Sequence, residues 1–228
     1  MSLTRRQLVA LLRKDLRIEL RTRETIAAML LFAVVAMLIF QFAVAQRSPE
    51  VTLLAGGFAW ATIALTAVLG VGRTWVPEQE QRVLDGLLVA PVPRLVFLVA
   101  RTVVLIVYLT AVELVVIPLA VVFFAPDTGL GDLGLVLVSG LVANVGIALV
   151  GAFLASMSVF SRARELLLPV LFLPVIVPNV IAAAGAAYAV LGPAPDMADY
   201  RGYCLFLGVY AVTFGLVAYA IYDYVLDD

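Results

Sequence analysis

Six long runs of apolar residues alternate with short polar connections along the chain, and this pattern predicts six membrane-spanning helices. A helix crosses the hydrocarbon core of a bilayer, roughly 30 Å thick, with about 20 residues, and every run reaches that length. The predicted spans cover residues 25–45, 51–72, 95–124, 133–160, 166–191 and 202–222. We therefore expect a single all-α transmembrane domain over residues 1–228.

The composition supports the same class and excludes several kinds of site. Hydrophobic residues make up 64% of the chain and charged residues 14%, which leaves too little polar surface for a soluble domain. Histidine, the commonest metal and haem ligand, does not occur, and the single cysteine, Cys204, cannot form an intrachain disulfide. The sequence contains no nucleophile–base pair and no P-loop motif. We therefore expect neither an enzyme, nor an ATP-binding or metal-binding chain, nor a partner of nucleic acid.

The distribution of arginine and lysine predicts the orientation of the spans. The N-terminal segment carries seven of these residues, the stretch from Arg73 to Arg101 carries four, and the fourth connection carries two. The alternate connections carry only Arg47 and Arg201. Because connections rich in positive charge stay in the cytoplasm, both termini are expected on the cytoplasmic side.

The segment before the first span, residues 1–24, is predicted to form an amphipathic helix in the membrane interface. Leucines recur at helical spacing on one side. Five basic residues cover the rest: Arg6, Arg13, Lys14, Arg17 and Arg21. Such a helix places its basic side chains against lipid phosphates and fixes the topology of the spans. A role in holding a partner protein is the alternative that the pattern leaves open.

The second cytoplasmic connection contains a different amphipathic helix, predicted over residues 77–90. Proline suits its first turn, and two later prolines end it. Its polar face is mostly acidic, which does not suit an anionic lipid surface, and docking into a groove of a soluble protein explains the pattern better. A loop helix without a partner is the alternative. The candidate docking residues are Glu78, Glu80, Arg82, Val83, Leu84, Asp85, Leu87, Leu88, Pro91 and Pro93.

Two motifs give the chain a resemblance to the CcmB family. Residues 80–93, EQRVLDGLLVAPVP, resemble the family motif EDGSLEQLLLSPLP, and residues 173–185, LPVIVPNVIAAAG, resemble its LPxxIPxxIxxxG stretch. Arg82, Gly86 and Ala90 depart from the first motif, where the family has glycine, glutamine and serine. Chain length, the number of spans and the arginine-rich N-terminal helix agree with the same family.

The resemblance implies a permease subunit of an ABC-2-type haem exporter used in cytochrome c maturation. Residues 77–90 would be its coupling helix, and ATP would bind to a separate cytoplasmic ATPase. The other implied partners are a haem-handling membrane subunit, a periplasmic haem chaperone and a second permease chain, either this one or another, in the bacterial inner membrane. Haem is the candidate cargo, and no cofactor is assigned to the chain itself. The alternatives are an ABC-2 exporter for lipid, drug or glycan and a non-transporting membrane scaffold.

Five residues within the spans are candidates for a functional role: Glu113, Asn144, Pro174, Pro178 and Asn179. Glu113 is expected near the middle of the bilayer, where an ionised acid costs at least ~2.5 kcal/mol, so it is expected to face the bundle or a partner. Its role is open between a substrate or coupling path and a structural contact. Asn144 lies among small residues that allow close helix packing. The prolines of the fifth span allow either a re-entrant segment, as the resemblance implies, or an ordinary kinked helix.

Overall fold

The computed structural model of the chain describes residues 3–44, 54–73, 94–125, 128–158 and 164–225. These ranges contain seven α-helices: α1 Leu3–Thr22, α2 Glu24–Val44, α3 Ala55–Arg73, α4 Arg94–Phe124, α5 Leu130–Ser158, α6 Arg164–Leu191 and α7 Met197–Val225. Helices α2 to α7 are each long and apolar enough to cross a membrane. The predicted all-α fold with six spans is confirmed, and the chain is a multi-pass membrane protein.

The last span begins earlier in the structure than the apolar pattern predicts, at Met197 instead of residue 202. The side chain of Asp196 caps this helix, because its Oδ1 accepts the backbone N–H groups of Ala198 at 2.7 Å and Asp199 at 3.2 Å. An N-cap of this kind satisfies free donors of the first turn. The cap fixes the start of the helix before the apolar residues begin.

Helix α5 lies at the centre of the second half of the bundle and packs against α4, α6 and α7. Helix α3 packs against α2, α4 and α6, and it is the most buried of the spans. The contact of α3 with α6 is close: a Cβ added at Gly56 would lie 2.9 Å from Ala187 Cβ and 3.0 Å from the Ala184 carbonyl oxygen. Small residues at such crossings let two helices approach in the absence of a hydrophobic driving force. Helices α2 and α7 are the least buried and present most of their apolar surface outward.

The chain turns sharply between α1 and α2 at Arg23, whose φ of 56° lies in the left-handed region. Such a conformation costs a residue with a side chain about 1–2 kcal/mol, so neighbouring contacts hold it. The Arg23 N–H donates to the Glu19 carbonyl oxygen at 2.6 Å, and the Arg23 carbonyl accepts the N–H of Ala27 at 3.0 Å. The turn ends the amphipathic helix and begins the first span within one residue.

Helix α6 is continuous from Arg164 to Leu191 although it contains Pro169, Pro174 and Pro178. Each proline lacks the N–H that would bond to the carbonyl four residues earlier, but spaced prolines do not prevent a spanning helix. The re-entrant segment implied by the resemblance is therefore not the conformation of this part of the chain. The alternative, a single proline-containing helix, is what the structure has.

Candidate functional site

The predicted coupling residues lie outside the described part of the chain. They are Glu78, Glu80, Arg82, Val83, Leu84, Asp85, Leu87, Leu88, Pro91 and Pro93. The structure does describe the helices on either side, because α3 ends at Arg73 and α4 begins at Arg94. The predicted coupling segment therefore connects the C-terminal end of α3 to the N-terminal end of α4 along the chain.

Helix α1 has a basic outer face and an inner face that packs on the bundle. All five predicted interfacial residues are exposed: Arg6, Arg13, Lys14, Arg17 and Arg21. On the inner face, Leu12 packs against the hydrophobic core and Glu19 is only 6% exposed. The apolar stripe thus contacts α4. This contact holds α1 against the protein's own spans, and the role of its basic face at the lipid interface stays a prediction.

Two acidic side chains of α1 join this helix to α4. Asp15 Oδ2 lies 3.5 Å from Arg101 Nη1, and both side chains are largely buried. One turn later, Glu19 Oε2 accepts the hydroxyl of Tyr108 at 3.3 Å, while Glu19 Oε1 accepts the backbone N–H of Ile26 at 2.8 Å. Glu19 therefore contacts α4 and also satisfies a free donor in the first turn of α2. We call Asp15, Glu19, Arg101, Tyr108 and Ile26 the three-helix junction.

The acidic half of this junction, Asp15 and Glu19, was not predicted from the sequence. Asp15 and Glu19 continue the leucine stripe of α1, since Leu8, Leu12, Asp15 and Glu19 follow one another at helical spacing. Acids on the apolar side of an amphipathic helix are a signal of a specific partner, because burial of an unpaired charge is costly. That signal was present, but it does not identify Arg101 as the partner.

The predicted intramembrane residues Glu113 and Asn144 lie together between α4 and α5. Asn144 Nδ2 donates to Glu113 Oε2 at 2.6 Å, and the side chain of Glu113 is only 1% exposed. The carboxyl group rests against Gly140, where an added Cβ would overlap Glu113 Oε1. Glu113 therefore faces the interior of the bundle, as its cost in a bilayer requires.

The predicted residue Asn179 belongs to a second contact, between α6 and α5. Its Nδ2 donates to the Ala143 carbonyl oxygen at 2.9 Å, and its Oδ1 lies beside Gly146. Tyr210 of α7 packs against the same glycine and donates its hydroxyl to the Val175 carbonyl at 2.7 Å. This contact ties α6 and α7 to α5 next to the residue that binds Glu113.

The predicted residues Pro174 and Pro178 lie on the exposed side of α6. Pro178 borders a largely apolar groove of about 600 Å³ between α6 and the first turns of α7. Asp199 and Tyr203 also line it. The volume is that of a small-molecule pocket. The structure thus separates the prolines from the Glu113–Asn144 contact and does not join all five predicted residues into one site.

Among the residues that the structure describes, no three cysteine, aspartate or glutamate side chains are grouped to hold a metal ion. Some polar side chains of this part of the chain donate to carbonyl oxygens of their own helix, and others form helix-to-helix contacts. The chemistry that such contacts support is the joining and release of helices.

Comparison with known proteins gives the chain a family. No curated protein gave a significant match. The model of the family described as CcmB protein matches residues 6–225 and so spans α1 to α7 and the connections between them. The chain therefore belongs to the CcmB family, the membrane subunits of the haem exporter of cytochrome c maturation.

Proposed function

We propose that this chain transmits the work of ATP hydrolysis on a partner ATPase to the haem exporter, with residues 77–90 as the coupling segment. The observation that carries the proposal is the family match over residues 6–225, which includes this segment. Its apolar face and acidic polar face suit a groove on a soluble subunit. Nucleotide binds on that subunit, since the chain's sequence has no P-loop.

The contacts of α4 support a route by which a displacement of the coupling segment reaches the other helices. Helix α4 follows the coupling segment directly, and its first half is joined to α1 through Arg101 and Tyr108. Further along, Glu113 joins α4 to α5. A displacement of the coupling segment therefore acts first on α4, and then on α1 and α5. Helices transmit such displacements because packed contacts have discrete arrangements.

The same contacts support the proposal that the N-terminal helix and the coupling segment lie on the same side of the membrane. Asp15 of α1 lies against Arg101, two turns after the start of α4. The N-terminal helix and the first turns of α4 therefore lie at one end of the bundle. Together with the excess of arginine in both regions, this supports a protein in the bacterial inner membrane with both termini in the cytoplasm.

The proposed partners follow from the family and from the surface of the bundle. They are a cytoplasmic ABC ATPase, a haem-handling membrane subunit and a periplasmic haem chaperone, with haem as cargo and ATP on the ATPase. Helices α2 and α7 present broad apolar faces outward. Lipid and a second permease chain are the proposed occupants of these faces.

The proposal is tested by haem staining of c-type cytochromes in a strain that lacks the gene. The strain is complemented with wild type, with Glu80→Lys, Asp85→Lys, or with the control Glu50→Lys, Asp132→Lys. The control makes the same change in net charge in connections predicted to be outside. Wild type and control are expected to restore the stained bands at equal protein abundance, whereas the Glu80, Asp85 variant is expected to restore less than a tenth.

The outcomes test the coupling role of residues 77–90 and the role in haem handling separately. Equal rescue by both double variants would refute the role of residues 77–90 and leave the family assignment intact. Stained bands that persist in the deletion strain would refute haem handling and direct attention to another exported cargo. A second measurement, ATPase activity of the partner in nanodiscs with each variant, shows whether a loss of rescue comes from lost coupling.

A further inference from the structure

The carboxyl group of Glu113 is buried beside the amide group of Asn144, and each group has one oxygen without a hydrogen-bond partner in the described structure. Asn144 Nδ2 donates to Glu113 Oε2, but Glu113 Oε1 and Asn144 Oδ1 have no hydrogen-bond partner in the described structure. Both residues are buried, with 1% and 0% of their surface exposed. A buried acceptor without a donor lowers the stability of the fold, and a buried unpaired charge lowers it further.

Ionised acids in a membrane interior are compensated by a cation, and the charged residues near Glu113 do not supply one. On α4, Arg101 lies twelve residues away, roughly 18 Å, and is paired with Asp15. On α5 the only charged residue is Asp132, eight residues before Gly140 and itself an acid. The other helices packed on α4 or α5 are α1, α2, α3, α6 and α7. Helices α2, α3, α6 and α7 carry charge only within their first or last two turns, and α1 contacts the first half of α4. The titratable Tyr108, Tyr200 and Tyr210 donate to Glu19, to the Leu135 carbonyl and to the Val175 carbonyl.

Protonation of Glu113 removes the uncompensated charge and also supplies the missing hydrogen-bond donor. A proton on Glu113 removes the charge and gives the carboxyl group an O–H donor, which the unpartnered Asn144 Oδ1 is able to accept. A neutral carboxylic acid and a primary amide form two hydrogen bonds in this way, O–H to the amide oxygen and N–H to the acid carbonyl. The absence of a side chain at Gly140 provides the space in which the acid lies against α5.

We propose that Glu113 and Asn144 form a proton-binding site that joins α4 to α5 when it is protonated. Loss of the proton breaks the Oε1–H bond, leaves its electron pair on Oε1 and transfers the proton to water. The resulting carboxylate requires hydration, so α4 and α5 separate enough to admit water. The site thus links the protonation of one acid to the contact between the helix that follows the coupling segment and the central helix α5.

Infrared difference spectroscopy of the full-length protein in nanodiscs tests the proposal. At neutral pH the wild type is expected to show the C=O stretch of a protonated carboxylic acid, and Glu113→Gln is expected to abolish it. Asn144→Leu is expected to keep the band and move it to higher frequency, because the carbonyl loses its N–H donor. The control Glu24→Gln, at an exposed acid, is expected to leave the band unchanged.

Thermal unfolding from mildly acidic to alkaline pH provides an independent readout, because an unfolded chain already releases a glutamate proton at about pH 4.3 while the protonated site of the folded chain keeps it. Glu113→Gln retains a donor and an acceptor toward Asn144, so its midpoint is expected to stay constant with pH while that of the wild type falls. Absence of the Glu113 band at neutral pH would overturn the proposal, as would a Glu113→Gln variant no more stable than Glu113→Ala. A wild-type midpoint that rises with sodium or potassium ion, and does not in Glu113→Gln, would also overturn it in favour of a cation site.

Discussion

Replacement of Glu19 by alanine tests whether the three-helix junction holds α1 and α2 to α4. The carboxylate accepts the Ile26 N–H at 2.8 Å and the Tyr108 hydroxyl at 3.3 Å, in a position that is 6% exposed. Alanine leaves both donors in place without an acceptor. An unsatisfied buried donor costs about 1–3 kcal/mol.

The magnitude follows from the two geometries. The bond to Ile26 has normal length, whereas 3.3 Å is long for an O–H donor, so the tyrosine contributes near the lower limit. We expect Glu19→Ala to lower the free energy of unfolding by about 2–4 kcal/mol. Tyr108→Phe, which removes only the longer bond, is expected to lower it by about 1 kcal/mol.

The assay is reversible unfolding of the full chain in mixed micelles, followed by helical circular dichroism. Glu24→Ala is the matched control, because Glu24 is an exposed acid in the first turn of α2. It is expected to cost at most about 1 kcal/mol through the lost interaction with the helix dipole. Equal values for Glu19→Ala and Glu24→Ala would refute the reasoning, since the junction would then contribute nothing beyond a surface charge.

Two further predictions concern the packing of the spans. Gly56→Ala is expected to destabilise the protein by about 1–3 kcal/mol, because its Cβ meets α6 at 2.9–3.0 Å, whereas Gly57→Ala, with no atom within 4 Å, is expected to be neutral or stabilising. Equal unfolding midpoints for these two variants would contradict the close contact of α3 with α6. Tyr210→Phe is expected to cost about 0.5–1.5 kcal/mol through its lost bond to Val175, and Tyr219→Phe, on the exposed face of α7, close to zero. Thermal unfolding of the two single variants checks this prediction. A loss of stability in Tyr219→Phe as large as that in Tyr210→Phe would contradict it.

The number and type of the elements could be predicted from the sequence because the bilayer imposes a length on each apolar run. Helix ends were predicted less well where a polar cap, such as Asp196, begins the helix before the apolar residues do. The continuity of α6 through three prolines was left open, since proline in a membrane helix is compatible with both conformations considered.

The contacts of the candidate site could be predicted only in part. Glu113 and Asn144 were each identified as polar residues in apolar surroundings, but their pairing was not predicted. Spans that are apolar on all sides have no periodic pattern that indicates which face meets which neighbour. The contact of Arg101 with Asp15 was not predicted, because it joins segments far apart in the chain.

The adjacent residues Ala143 and Asn144 give α5 a mechanical property. Asn144 bonds to Glu113 of α4, and the Ala143 carbonyl accepts a bond from Asn179 of α6, so consecutive residues of α5 hold two different neighbours. A displacement of α5, either along its axis or about it, therefore acts on both bonds at the same time. A movement that keeps both bonds carries α4, α5 and α6 together as one unit.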